Sequence, residues 1–114
     1  MLLRVRTLRT DEKTIVSTRG DIDLATASRF EEELRRELDS GEKHLVVNLA
    51  HTSYIDSSGL AVLLRAHKAL QDRDGTLMVI GCRPTVSRIF NMVGFHYLFT
   101  FQERLPSRLR RIQR

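Results

Sequence analysis

The chain has 114 residues, 41% of them hydrophobic, which suits one domain with a single core and no need of a disulfide or metal. No apolar run approaches the ~20 residues of a membrane-spanning helix, the start lacks the long apolar stretch of a secretory signal, and Cys82 is alone, so a cytoplasmic location is expected. The net charge of +5 is local: residues 104–114 carry five arginines (Arg104, Arg108, Arg110, Arg111, Arg114) and no acid, and removing these five from the 19 basic side chains leaves 14 against 14 acidic ones. A body without a basic excess argues against nucleic-acid binding.

Leu2-Leu3-Arg4-Val5-Arg6-Thr7-Leu8 alternates in part between apolar and polar and reads as an edge strand. Asp11-Glu12-Lys13 is a polar turn, and Thr14-Ile15-Val16-Ser17-Thr18-Arg19 completes a hairpin. Gly20 ends it. Asp21 and Asp23 then sit at a strand-to-helix junction, with Asp23 placed to act as an N-cap. Leu24, Ala27, Leu34 and Leu38 fall at helical spacing with Phe30 near the same face, which leaves Glu31, Glu32, Glu33, Arg35, Arg36 and Glu37 for the solvent side. Gly41 closes this helix.

His44-Leu45-Val46-Val47-Asn48-Leu49 is too apolar for a half-exposed strand, and Leu60 to Leu70 is rich in helix formers. Between them lies Tyr54-Ile55-Asp56-Ser57-Ser58-Gly59, two hydroxyls and a carboxylate where a helix begins. Ser57 or Ser58 can cap that helix, because its first backbone N–H groups have no partner within it. The same free N–H groups and the helix dipole favour an anion, so the backbone would tolerate a phosphorylated hydroxyl here. Asp72-Arg73-Asp74-Gly75 is a turn, and Thr76-Leu77-Met78-Val79-Ile80-Gly81 reads as another buried parallel strand. Pro84 suits a first helical turn, Val86, Ile89, Phe90 and Val93 keep helical spacing, and Gly94 stops that helix. Tyr97-Leu98-Phe99-Thr100-Phe101 is a last strand. Leu105, Leu109 and Ile112 lie at i, i+4 and i+7 among arginines, as in a terminal helix that rests either on the domain or on anionic lipid or an acidic partner surface.

The expected fold is α/β: a mixed, mainly parallel sheet of four to five strands with an N-terminal β-hairpin, in the order β-β-α-β-α-β-α-β with an optional final helix. Functional loops in such sheets tend to lie beyond the carboxyl ends of strands, where both the Gly20–Asp23 and Thr52–Ser58 loops fall. Asp56-Ser57-Ser58-Gly59-Leu60, between a buried strand and an apolar helix, resembles the phosphorylation loop of STAS-domain anti-sigma factor antagonists. Gly20-Asp21-Ile22-Asp23-Leu24-Ala25-Thr26-Ala27 is similar to the family's other recognisable segment, and the spacing of the two blocks and Gly94-Phe95 also fit. The resemblance covers residues 2 to 103, and the expected division is a STAS domain at 1–103 with a basic helix or tail at 104–114.

The resemblance implies that Ser58 accepts phosphate, with Ser57 the neighbouring cap or a minor acceptor, and that Asp21, Asp23, Thr26, Asp56, Ser57, Ser58 and Gly59 form the partner-binding loop region. Gly59 is expected to keep the approach to Ser58 clear. The implied partners are an anti-sigma factor that is itself an ATP-dependent serine kinase and a separate serine phosphatase. The same fold also serves as a regulatory subunit of lipid-transport ABC systems or stress-signalling complexes, where the serine is not phosphorylated. Two departures stand out: the arginine tail, and Ser17 and Thr18 where the family more often has apolar residues.

Other chemistries find little support. His51, Asp56 and the two serines invite a catalytic-triad reading, but the glycine pattern of a nucleophile elbow is missing. His44, His51, His67 and His96 lack metal-ligand spacing, and no phosphate-binding G-x-x-x-x-G-K-[ST] loop occurs, so no metal, cofactor or enzymatic activity is expected.

Overall fold

The computed structural model describes residues 2–95 and 100–102. Its elements run β1 (Arg4–Arg9), β2 (Thr14–Arg19), α1 (Ala27–Asp39), β3 (His44–His51), α2 (Ser57–Gln71), β4 (Thr76–Ile80), α3 (Pro84–Met92) and β5 (Thr100–Gln102). They form one sheet in the order β1-β2-β3-β4-β5, antiparallel between β1 and β2 and parallel elsewhere. Spatial order therefore equals chain order. Crossovers of a single hand that all step the same way place their helices on one face. The core agrees: Phe30 and Leu34 of α1, Val62, Leu63 and Leu70 of α2, and Val86 and Phe90 of α3 join the alternate strand residues Val16, Leu45, Val47, Leu49, Leu77 and Val79. The opposite face carries a smaller cluster of Ile15, Val46 and Ile80 with Met78.

Three sequence expectations are corrected. Leu24 does not join the core; it is 83% exposed, because α1 starts only at Ala27 and Leu24 sits in the turn before it. Asp23 is not the helix cap. Thr26 holds that position without a side-chain cap bond, while Asp23 Oδ1 accepts the amides of Ala25 (3.0 Å) and Thr26 (3.2 Å) within the preceding turn. Glu33 and Glu37 are buried, not solvent-facing. Positions 30, 33, 34 and 37 form one inward stripe at i, i+3, i+4 and i+7, and the two acids turn under the edge strand, where polar partners await them. Glu33 accepts from Thr7 Oγ1 (2.9 Å) and pairs with Arg29 and Arg36, while Glu37 pairs with Arg9 at 2.7 Å.

Thr18 is also buried, and its hydroxyl bonds that of Thr52 at 2.6 Å, so the polar residue in β2 is satisfied inside the core. Of the expected last strand, Thr100 and Phe101 belong to β5; residues 97–99, His96 and the 104–114 tail lie outside the described residues. No helix among the described residues is long and apolar enough to cross a membrane.

Candidate functional site

Two loops leave the carboxyl ends of the adjacent parallel strands β2 and β3 and stay joined beyond them. Gly20 N–H donates to His51 O (3.1 Å), Ile22 N–H to Tyr54 O (3.0 Å) and Asp56 N–H to Ile22 O (3.1 Å). Gly20 has φ +113°, a conformation that favours glycine and lets the chain leave β2 at this angle. The buried Ile22 and Ile55 bridge the loops like one further rung of the sheet. This rung brings Asp21, Asp23 and Thr26 on one loop beside Asp56, Ser57 and Ser58 on the other. Thr26 Oγ1 accepts the Asp23 amide (2.9 Å) and donates to Asp21 O (2.8 Å), which closes the first loop on itself.

Asp56 is the hub, and the capping role expected of a serine belongs to it. An extended backbone (φ −107°, ψ −171°) aims its carboxylate back over the start of α2. Oδ1 accepts the amides of Ser58 (2.9 Å) and Gly59 (3.3 Å) and the Ser58 hydroxyl (2.5 Å), while Oδ2 accepts the Leu24 amide of the other loop (3.2 Å). One side chain thus fixes the helix start, the serine rotamer and the spacing of the loops. A carboxylate wins over a serine hydroxyl here because its two oxygens accept four bonds and its charge suits the helix N-terminus. The Ser58 hydroxyl does most to hold the Asp56 carboxyl below the usual aspartate range; the amides of Gly59, Ser58 and Leu24 add to this, and partial burial opposes it. Ser58 itself is half-buried and Ser57 is exposed.

Gly59 is required from inside, not from outside. It is buried, and a Cβ there would stand 2.6 Å from Ile55 Cγ1 and 2.7 Å from Ile22 Cγ2. The helix must pack against the Ile22–Ile55 rung without a side chain between, so the expectation that the glycine clears a partner's path is replaced by a packing reason.

Several surface residues escaped the sequence reading. Leu24 and Tyr54 are 83% and 47% exposed, and they flank the site on its two loops. Helical spacing pointed Leu24 inward, and only the tertiary contacts reveal it as an apolar lip. Arg83, before α3, donates to Ala50 O (3.2 Å) and Ser53 Oγ (3.2 Å), and Thr85 Oγ1 donates to Ser53 O (3.0 Å); together they pin the loop that carries Tyr54. His51 titrates below its ordinary range, through burial first and then the nearby charges of Arg19 and Arg83. No bond links His51 to Asp56, Ser57 or Ser58 among the described residues, so the triad does not assemble. The described residues hold no cluster of three or more His, Cys, Asp or Glu side chains arranged to bind a metal ion.

A STAS domain family model matches residues 4–107. The anti-sigma-B factor antagonist of Staphylococcus epidermidis is 32% identical over 103 residues, 90% of this chain and 95% of that one. An anti-sigma factor antagonist from Mycobacterium paratuberculosis superposes with a TM-score of 0.84 at 22% identity, covering 98% of this chain and 95% of the other. The phosphorylated form of the Bacillus cell fate determinant SpoIIAA superposes with a TM-score of 0.71 at 17% identity, covering 96% and 100%.

Proposed function

The chain belongs to the STAS domain family, and on that premise we propose that it is an anti-sigma factor antagonist whose binding is switched at Ser58. The observation that carries the reading is the setting of the Ser58 hydroxyl. It is half-buried at the start of α2 and held by Asp56, and the two loops that meet there also carry the exposed Leu24 and Tyr54. In the unphosphorylated form a partner covers a neutral hydroxyl, two apolar lips and the rim of Asp21, Asp23 and Thr26. The relatives named as antagonists supply the partner class, an anti-sigma factor, whose capture releases the sigma factor.

Phosphorylation transfers the γ-phosphoryl group of ATP to Ser58 Oγ, with the hydroxyl proton leaving, and adds about −1.5 to −2 charges. Asp56 already occupies the amides of Ser58 and Gly59. Against the expectation that free helix amides would receive it, the new dianion finds these two already held by a carboxylate, and its charge stands toward the partner. Like charges across an interface cost several kcal/mol, and about 4 kcal/mol is a thousandfold in affinity. The scaffold need not rearrange for binding to fail. In this reading the anti-sigma factor is also the serine kinase, a separate phosphatase hydrolyses the phosphoserine, Ser57 is at most a minor acceptor, and residues 1–103 form the switch domain with 104–114 as an appended basic tail. Binding of the host's anti-sigma factor to Ser58→Ala and Ser58→Asp tests the switch: the alanine form should bind and the aspartate form should not. Equal binding by the two would overturn it.

A further inference from the structure

Four basic side chains line up across the carboxyl-end rim of the sheet. Arg4 pairs in register with Arg19, Arg19 pairs with His51, and Arg83 rests its guanidinium on Ala50 O, the residue before His51. Arg4, Arg19 and Arg83 are exposed and His51 is half-buried. None of the four has a carboxylate partner among the described residues, whereas Arg9, Arg29, Arg35, Arg36 and Arg65 all pair with glutamates around α1. Like charges placed directly opposite on neighbouring strands destabilise a sheet, so the Arg4–Arg19 pair costs stability until an anion meets it. His51 titrates below its ordinary range, through burial first and then the charges of Arg19 and Arg83, so it joins the row as a neutral ring that can donate one hydrogen bond.

We propose that Arg4, Arg19, His51 and Arg83 form the anion-recognising edge of the docking surface, and that its occupant is an extended acidic segment of the partner protein. The inference rests on reading the adjoining Tyr54–Ser58 loop as that surface. Geometry favours a segment over a single small anion. Strands lie ~4.8 Å apart, so a row crossing the ends of β1, β2 and β3 and the loop after β4 spans about 14 Å. An extended chain places alternate side chains ~6.7 Å apart, so acids at i, i+2 and i+4 cover the same length. A single phosphate covers only part of that length. Arg83 also holds Ser53, and so a segment seated on this row would lie directly beside Tyr54 and align the partner along the loop toward Ser58.

The test uses the full-length protein, isotopically labelled, with a hexaglutamate peptide as probe and inorganic phosphate as a second arm. Peptide-induced amide shifts should map to Arg4, Arg19, His51, Tyr54 and Arg83, and affinity should fall about tenfold between about 50 and 200 mM salt. Arg19→Glu with Arg83→Glu should abolish those shifts; Arg19→Gln with Arg83→Gln serves as the milder pair if the reversals unfold. Ser58→Asp should leave peptide binding in place, so a failed phosphoserine switch and a failed acidic-segment site give different results. Shifts confined to residues 104–114, phosphate binding the row as tightly as the peptide, or full peptide binding by the folded reversal variant would each overturn the proposal.

Discussion

Removing Asp56 should loosen both loops at once, and the loss should depend on pH. Its carboxylate caps α2 through Ser58 and Gly59 and ties Leu24 of the other loop. Replacing such a cap by alanine costs about 1 kcal/mol. The Leu24 amide is exposed and regains water, so its lost bond to a charged acceptor adds ~0.5 kcal/mol, below the range for buried cases. Asp56→Ala should therefore destabilise by ~1–2 kcal/mol and lower the melting temperature by ~4–8 °C. Asp56→Asn keeps one acceptor oxygen for the cap but turns an N–H donor toward either Leu24 N–H or Ser58, so a smaller loss is expected. The folded-state carboxyl titrates below its unfolded value. Its contribution is thus complete above that value and is lost as pH falls through the folded pKa. Urea unfolding of wild type and Asp56→Asn from neutral to acidic pH should show the gap shrinking below about pH 4. Carbon-detected NMR titration of the Asp56 carboxyl reads the shift directly. An Asp56 titrating at or above an ordinary aspartate, or a gap unchanged through acid, would refute the reasoning.

Gly59→Ala should destabilise by ~1–2 kcal/mol, because overpacking against Ile22 and Ile55 exceeds the ~1 kcal/mol gained in helix propensity; a variant as stable as wild type in urea unfolding would contradict the packing reason. Arg9→Leu should cost ~1–3 kcal/mol by leaving Glu37 buried without a cation, and adding Glu37→Leu should recover most of that loss; a double-mutant cycle measures it, and additive losses would show that the pair is not coupled. Leu24→Ser should leave the unfolding free energy within ~0.5 kcal/mol of wild type while weakening anti-sigma factor binding about tenfold, as measured by calorimetry; unchanged affinity would remove Leu24 from the docking surface.

The chain order of elements was legible because each periodicity is local. The apolar runs at Leu45–Leu49 and Leu77–Ile80 and the helical spacing of Val86, Ile89 and Phe90 need no tertiary knowledge to be read. The two loop motifs, Gly20–Ala27 and Asp56–Leu60, were likewise visible as residues, since a glycine or aspartate at a strand or helix end answers to backbone geometry within a few positions. What the sequence misjudged were roles set by neighbours distant along the chain. Glu33 and Glu37 looked solvated because charge usually is, yet Thr7 and Arg9 on the edge strand make their burial affordable. Leu24 looked buried by its spacing, but Asp56 holds its amide and the helix begins after it. The choice of Asp56 over either serine as cap, and the need for Gly59, both depend on the rung between Ile22 and Ile55, residues 33 positions apart that only the parallel pairing of β2 and β3 brings into contact. Local periodicity is written in each segment's own side chains, whereas the position of a hydroxyl in a site is fixed by the partners that folding carries to it.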